Sequence, residues 1–89
     1  MLYHQINFTK TFRGQFKLLK PRQQERFYER LELFKKDPQA RVLRDHALKG
    51  KYIGYRSIDI QGDLRALYYV KDDTIVIFAL IGSHSQLYG

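Results

Sequence analysis

His46 lies in the stretch DHALKG, residues 45–50, and His84 in GSHSQLYG, residues 82–89. Asp59, Asp63 and Arg65 come between them, and Tyr88 follows His84 by one helical turn. An imidazole titrates near neutral pH, at about 6.5 when unperturbed, and can both take and give a proton there. A neighbouring carboxylate orients an imidazole and raises its pKa. The arginine fork matches phosphate oxygens, and a phenol can stack on a base. Gathered in one place, these groups meet the needs of RNA cleavage. A base deprotonates the ribose 2′-OH, a cation steadies the charge on the phosphoryl oxygens, and an acid protonates the departing 5′-oxygen.

Each residue also has a plainer role. His46 sits in a polar loop and could be solvated there. His84 follows an apolar run and could cap backbone groups. Asp63 could stabilise a turn, Asp59 and Arg65 could form a cross-strand ion pair, and Tyr88 could pack the C-terminal segment. His4 reads as a strand or surface residue. Three histidines raise the question of zinc, but no pair stands at close ligand spacing, so neither metal nor other cofactor is expected.

The chain has 89 residues, enough for one small domain, residues 1–89. It contains no cysteine, which excludes disulfides and thiolate metal sites. No run is long and apolar enough to span a bilayer, and the opening MLYHQINF lacks the build of a signal peptide. A soluble, cytoplasmic protein with no membrane partner is expected. Sixteen Lys and Arg against nine Asp and Glu give a net charge of +7, which favours polyanionic partners: RNA, DNA or an acidic protein. Lys10, Arg13 and Lys17 share one face of an amphipathic segment, and Lys49, Lys51 and Arg56 surround the second half of the histidine loop, so all six are candidate RNA-binding cations.

The elements that must position these groups can be read in order. Leu2, His4, Ile6 and Phe8 alternate as in a strand. Thr9 offers a helix N-cap, and Phe12, Phe16 and Leu19 recur at helical spacing. Pro21 opens a second helix, Phe27, Leu31 and Phe34 form its apolar stripe, Glu32 with Lys36 is a favourable i,i+4 pair, and Asp37-Pro38 ends it. After a polar stretch, residues 39–51, three strands are expected at 55–60, 64–71 and 74–81. The last, containing IVIFALI, reads as a central strand covered on both faces, and Asp72-Asp73 as a tight turn. The result is an α+β domain, β-α-α-β-β-β, with a mostly antiparallel sheet and two helices on one face.

The first hairpin admits a finer reading. A two-residue turn at Gln61-Gly62 would pair Ile58 with Arg65 and mix core with charge. A three-residue loop with Gly62 left-handed pairs Ile58 with Leu64 and Ser57 with Arg65. Ile58, Leu64, Ala66, Tyr68 and Val70 then face the helices. Tyr55, Ser57, Asp59, Asp63, Arg65, Leu67 and Tyr69 share the other face, left open for a ligand.

On DHALKG, then GYR at residues 54–56, Asp63 and GSHSQLYG, the chain resembles the YafQ branch of the RelE toxin family, closely over residues 45–89 and in layout alone before that. The resemblance implies a toxin held inactive by a cognate antitoxin, an endoribonuclease that cuts mRNA in the ribosomal A site, and a toxin–antitoxin complex that binds operator DNA through the antitoxin. It implies His84 as general acid, His46 as a second histidine and candidate base, Asp63 as a supporting carboxylate, Tyr88 against a base, and Arg65, in RALY, on the scissile phosphate. The family's Asp and His after GYR are replaced here by Ser57 and Asp59, so its third site histidine is missing; Arg65 is expected to supply that positive charge. A site this sparse is expected to cut naked RNA slowly and to rely on the ribosome for geometry. Two other readings compete: a non-catalytic RNA- or ribosome-binding module on the same fold, and one half of a DNA-binding repressor complex, although no helix-turn-helix is visible.

Overall fold

The computed structural model describes residues 3–88. Strand β1, Gln5–Phe8, leads into helices α1, Lys10–Lys17, and α2, Pro21–Lys36. A 3-10 turn at Arg41–Leu43 precedes β2, His46–Ala47, and a second at Gly50–Tyr52 precedes β3, Arg56–Gln61. Then come β4, Leu64–Lys71, β5, Ile75–Ser83, and a short helix α3, His84–Tyr88. The strands form one sheet in the order β1-β5-β4-β3-β2, antiparallel except for the parallel pair β1 and β5. The α+β class and the two long helices on one face match the sequence reading; β2 and α3 are additions to it.

Thr9 couples the first strand to the first helix. Its hydroxyl accepts from Phe12 N at 3.0 Å, capping α1, and donates to the Ala79 carbonyl at 2.9 Å. That carbonyl belongs to a bulge in β5, where the register with β4 shifts between Leu67 and Tyr68. Pro21 is the first residue of α2, as its missing N–H allows. Phe12, Phe27, Leu31 and Phe34 are buried against the sheet. Phe78 is the hub of this core, with ring centroids 5.4–5.9 Å from those of Phe8, Phe12, Phe27, Phe34 and Tyr68.

Several details depart from the sequence reading. Glu32 pairs with Lys35, at 3.0 Å, and not with Lys36. His4 precedes β1 and is exposed, and Leu2 lies outside the described residues. The β3–β4 connection is a two-residue turn, Gly62-Asp63, with a bulge at Ile60, and not a three-residue loop. Ile58 therefore faces Ala66 and Ser57 faces Leu67. The register differs by two residues from that expected, which keeps every side chain on its expected face. Gly62 does take the left-handed conformation, φ 53°. The unpaired Ile60 carbonyl accepts from Arg30 of α2 at 3.3 Å.

The face away from α1 and α2 is not bare. Ser57 and Leu67 are fully buried there, and Leu87 of α3 is buried too. Helix α3 folds back closely over β5: a Cβ on Gly82 would lie 3.0 Å from Gln86 Oε1. Tyr52 donates to the Leu87 carbonyl at 2.7 Å, tying the second 3-10 turn to α3. Strand β5 is interior, but Ile77 and Leu80 on this face are only half-buried, so it lacks the second helical layer its unbroken apolar run suggested.

At the edge, Asp45 fastens β2 to the rest. Its side chain, 9% exposed, accepts from Arg56 Nε at 2.8 Å and from the Tyr68 hydroxyl. The hydrogen bond that Arg56 donates to Asp45 raises the Arg56 pKa against the opposing effect of burial. Burial, reinforced by Asp45, holds the Tyr68 phenol well above its ordinary range. Asp45→Ala is expected to cost about 2 kcal/mol, because it strands a buried hydroxyl and an arginine, as urea unfolding will measure. A phenol whose folded pKa is raised stabilises the fold below the unfolded value, about 10, and that contribution is lost as pH rises above it. Stability should therefore fall above about pH 10, and less steeply in Tyr68→Phe.

Candidate active site

On the sheet face opposite α1 and α2, antiparallel register lines up Asp59 on β3, Arg65 on β4 and Gly82 on β5. Arg65 Nε lies 3.0 Å from Asp59 Oδ1, and Arg65 Nη1 donates to the Gly62 carbonyl at 2.8 Å. Arg44 approaches the same carboxylate from the other side, its Nε 3.6 Å from Asp59 Oδ2. Asp59 is 17% exposed between side chains that are 22% exposed for Arg65 and 77% for Arg44. The cross-strand ion pair is real, and it has a third member that the sequence reading missed. Arg44 stands directly before the DH motif, so proximity to His46 was the available signal.

The next row across the sheet holds His46, opposite Ser57 and hence beside Asp59. The His46 ring is exposed, and its Nδ1 lies 2.8 Å from the Arg44 carbonyl. A carbonyl only accepts, so Nδ1 carries the proton and the neutral ring keeps a free lone pair on Nε2. His84 opens α3; its backbone N–H donates to the Asp63 carbonyl at 3.0 Å, which places it beside the Gly62-Asp63 turn and the Arg65 end of the row. The exposed His84 ring packs on Tyr88 with centroids 4.7 Å apart. Among the described residues neither imidazole bonds to a carboxylate side chain. Asp63 is exposed in the turn and meets His84 through its backbone.

Tyr88 belongs to a run of rings over this face. Tyr52 stands edge-on to it at 5.3 Å, Tyr55 lies 6.0 Å from Tyr52, and Tyr69 is 5.4 Å from Tyr55. Burial and the nearby Tyr52 push the Tyr88 phenol up, while Arg65 pulls it down, so it remains a protonated donor at neutral pH. Lys51 lies 5.1 Å from the centre of the Tyr52 ring, and Lys49 is exposed in the same segment. Arg56 is committed to Asp45 on the helix side of the sheet, although 43% of its side chain is exposed. Lys10, Arg13 and Lys17 are exposed on α1, across the sheet from the two histidines, so they do not join the Asp59–Arg65 row. A surface groove lies behind Arg44, between the end of α2 and Asp45, bordered by Lys36, Arg41 and Arg56. Among the described residues no group of three or more His, Cys, Asp or Glu side chains is placed to hold a metal ion, and no helix is long and apolar enough to cross a membrane.

Residues 4–89 match the family model described as the bacterial toxin of type II toxin–antitoxin systems, YafQ. The chain belongs to the YafQ toxin family. A search of curated protein sequences gives no significant match. A copper-bound mutant toxin from Helicobacter pylori is 34% identical, with 99% of this chain and 100% of that one covered and a TM-score of 0.70. The toxin–antitoxin complex RelBE2 from Mycobacterium tuberculosis is similar at 25% identity, TM-score 0.75, covering 96% of this chain and 95% of that one. YafQ from E. coli shares the fold, with a TM-score of 0.80 at 24% identity, over 94% of this chain and 97% of that one. These matches place the chain in the RelE/ParE superfamily.

In this YafQ-family member, α3 hangs on few bonds, and the Tyr52 hydroxyl makes one of them. Tyr52→Phe removes it with little change in packing. Its expected effect is a stability loss of about 1 kcal/mol and faster amide exchange in residues 86–88 than in β4, read by hydrogen-exchange NMR.

Proposed function

We propose that the protein is a cytoplasmic, ribosome-dependent endoribonuclease, the toxin of a type II toxin–antitoxin pair, that cuts mRNA in the ribosomal A site and so stops translation. The observation that carries this reading is the pair of exposed imidazoles bordering the Asp59–Arg65 row, with the Nδ1 of His46 engaged so that Nε2 can accept a proton. His46 takes the proton of the ribose 2′-OH, whose oxygen attacks the adjacent phosphorus. Arg65 steadies the phosphoryl oxygens. His84 gives a proton to the leaving 5′-oxygen, and the products are a 2′,3′-cyclic phosphate and a 5′-hydroxyl. Tyr88, beside His84, stacks on a base or donates from its phenol. Asp63 supports His84 through its backbone, and Asp59 holds Arg65. Lys49 and Lys51 guide the RNA backbone on the tyrosine-bearing face; Arg56, Lys10, Arg13 and Lys17 add to the general attraction of a chain carrying +7.

The shallow site favours a substrate already held by the ribosome, which supplies the orientation that the protein lacks. The partner that silences it is a cognate antitoxin, as the DinJ–YafQ and RelBE2 toxin–antitoxin complexes suggest by analogy. An acidic antitoxin segment opposes the basic surface and covers the site; operator DNA, in this reading, is bound through the antitoxin.

Cleavage on programmed ribosomes, with 5′ ends mapped by primer extension, tests the proposal. Wild type should cut within the A-site codon and leave ribosome-free RNA nearly intact. His84→Ala and His46→Ala should each lose about 10²-fold or more in rate. Ribosome binding without any cut by the wild type would make the protein a non-catalytic module instead.

A further inference from the structure

Asp59 stands where the resembling toxins carry a histidine, and it is not a simple replacement. It lies between two guanidiniums, Arg65 at 3.0 Å and Arg44 at 3.6 Å. Register opposes Asp59 to Arg65 on β4, and Arg44, which precedes β2, reaches the same carboxylate from the turn before His46. The three side chains sum to one net positive charge, the charge of a protonated histidine.

Arg44 is also an unusual backbone. It adopts the left-handed conformation, φ 47° and ψ 43°, which a side-chain-bearing residue takes at a cost. In that conformation one residue serves two neighbours. Its carbonyl accepts from the His46 ring, and its side chain crosses to Asp59. Its side chain is largely exposed, so the guanidinium keeps donors free for a ligand.

Resting on the nuclease reading, we propose that Arg44 is a second phosphate-holding cation of this site, and that Asp59 is a positioning residue that spaces Arg44 and Arg65 to grip one phosphodiester. Two forks on either side of a carboxylate present planar donors to the non-bridging oxygens next to the base, His46. Lysine in place of Arg44 would keep the charge and lose the fork.

The test uses the full chain and a labelled single-stranded RNA carrying a 2′-deoxy sugar at the cut position, so that binding is read without cleavage. Affinity is measured over a salt series, alongside cleavage on programmed ribosomes. Loss of one phosphate contact reduces the slope of log K against log salt by about 0.7 on a single strand. Arg44→Ala should show that reduction and at least tenfold slower cleavage. Arg44→Lys should keep the slope but cut slowly. Asp59→Asn should keep the slope and cut slowly, and joining it to Arg44→Ala should add little, since the two residues act as one unit. Wild-type slope and wild-type cleavage in Arg44→Ala would overturn the proposal, and so would full additivity of the pair. If wild type makes no cut on ribosomes, the nuclease reading fails, and an unchanged salt slope in Arg44→Ala would still count separately against phosphate binding.

Discussion

The carboxylate of Asp45 anchors the weakest-held part of the sheet. Strand β2 is two residues long, and its ladder partners are Ser57 and Arg56. A strand so short has too few backbone bonds to stay in register alone. Asp45 supplies the missing constraint from the helix side, where it reaches Arg56 on β3 and Tyr68 on β4. Tyr68 in turn packs on Phe34 of α2, centroids 5.1 Å apart, and on Phe78. The residues on either side of Asp45 are Arg44 and His46. Their positions on the opposite face are thus inherited from the aromatic core through one buried acid.

The two faces of the sheet answer different demands. The helix face is paved with phenylalanine and aliphatic groups and supplies most of the apolar burial. The other face carries a thin cover: Leu67 of β4 and Leu87 of α3 are buried there, with the Gly50–Tyr52 turn and tyrosines around them. Phenols suit this place. They bury a ring while leaving a hydroxyl for backbone or water, as Tyr52 does at the Leu87 carbonyl. The arrangement leaves polar rows accessible beside a rigid floor, the condition for holding side chains in a fixed pose.

Much of this was legible in the sequence because local signals and global packing agree. Thr9, Pro21 and the Phe27–Leu31–Phe34 stripe each have a single sensible use, and the structure makes that use of them. The sidedness of β3 and β4 was legible because alternation fixes a face even when the register slips by an even number. The bulge at Ile60 was not, since it is set by Arg30, thirty residues away, reaching its carbonyl. Strand β2 and the role of Asp45 were hidden because two residues carry no period, and a buried acid reads as a polar loop. The 3-10 turn and left-handed backbone that aim Arg44 likewise leave no trace in residue type. The histidines, Asp59 and Arg65 were visible as chemistry, and the shared face of Asp59 and Arg65 followed from alternation; the placement of the histidines beside them, and the third member of the row, did not.

The parallel pairing of β1 with β5 matches Gln5 with Ile75 and Phe8 with Phe78. It closes a loop spanning most of the chain, and such long-range contacts form late. During synthesis β1 and the helices emerge first, with the bulge carbonyl that Thr9 grips still unmade. The N-terminal half therefore waits as an incomplete layer until β5 arrives to fill the centre of the sheet. The order of translation thus delays the folded domain until β5 has been made, and every contact that depends on the centre of the sheet waits with it.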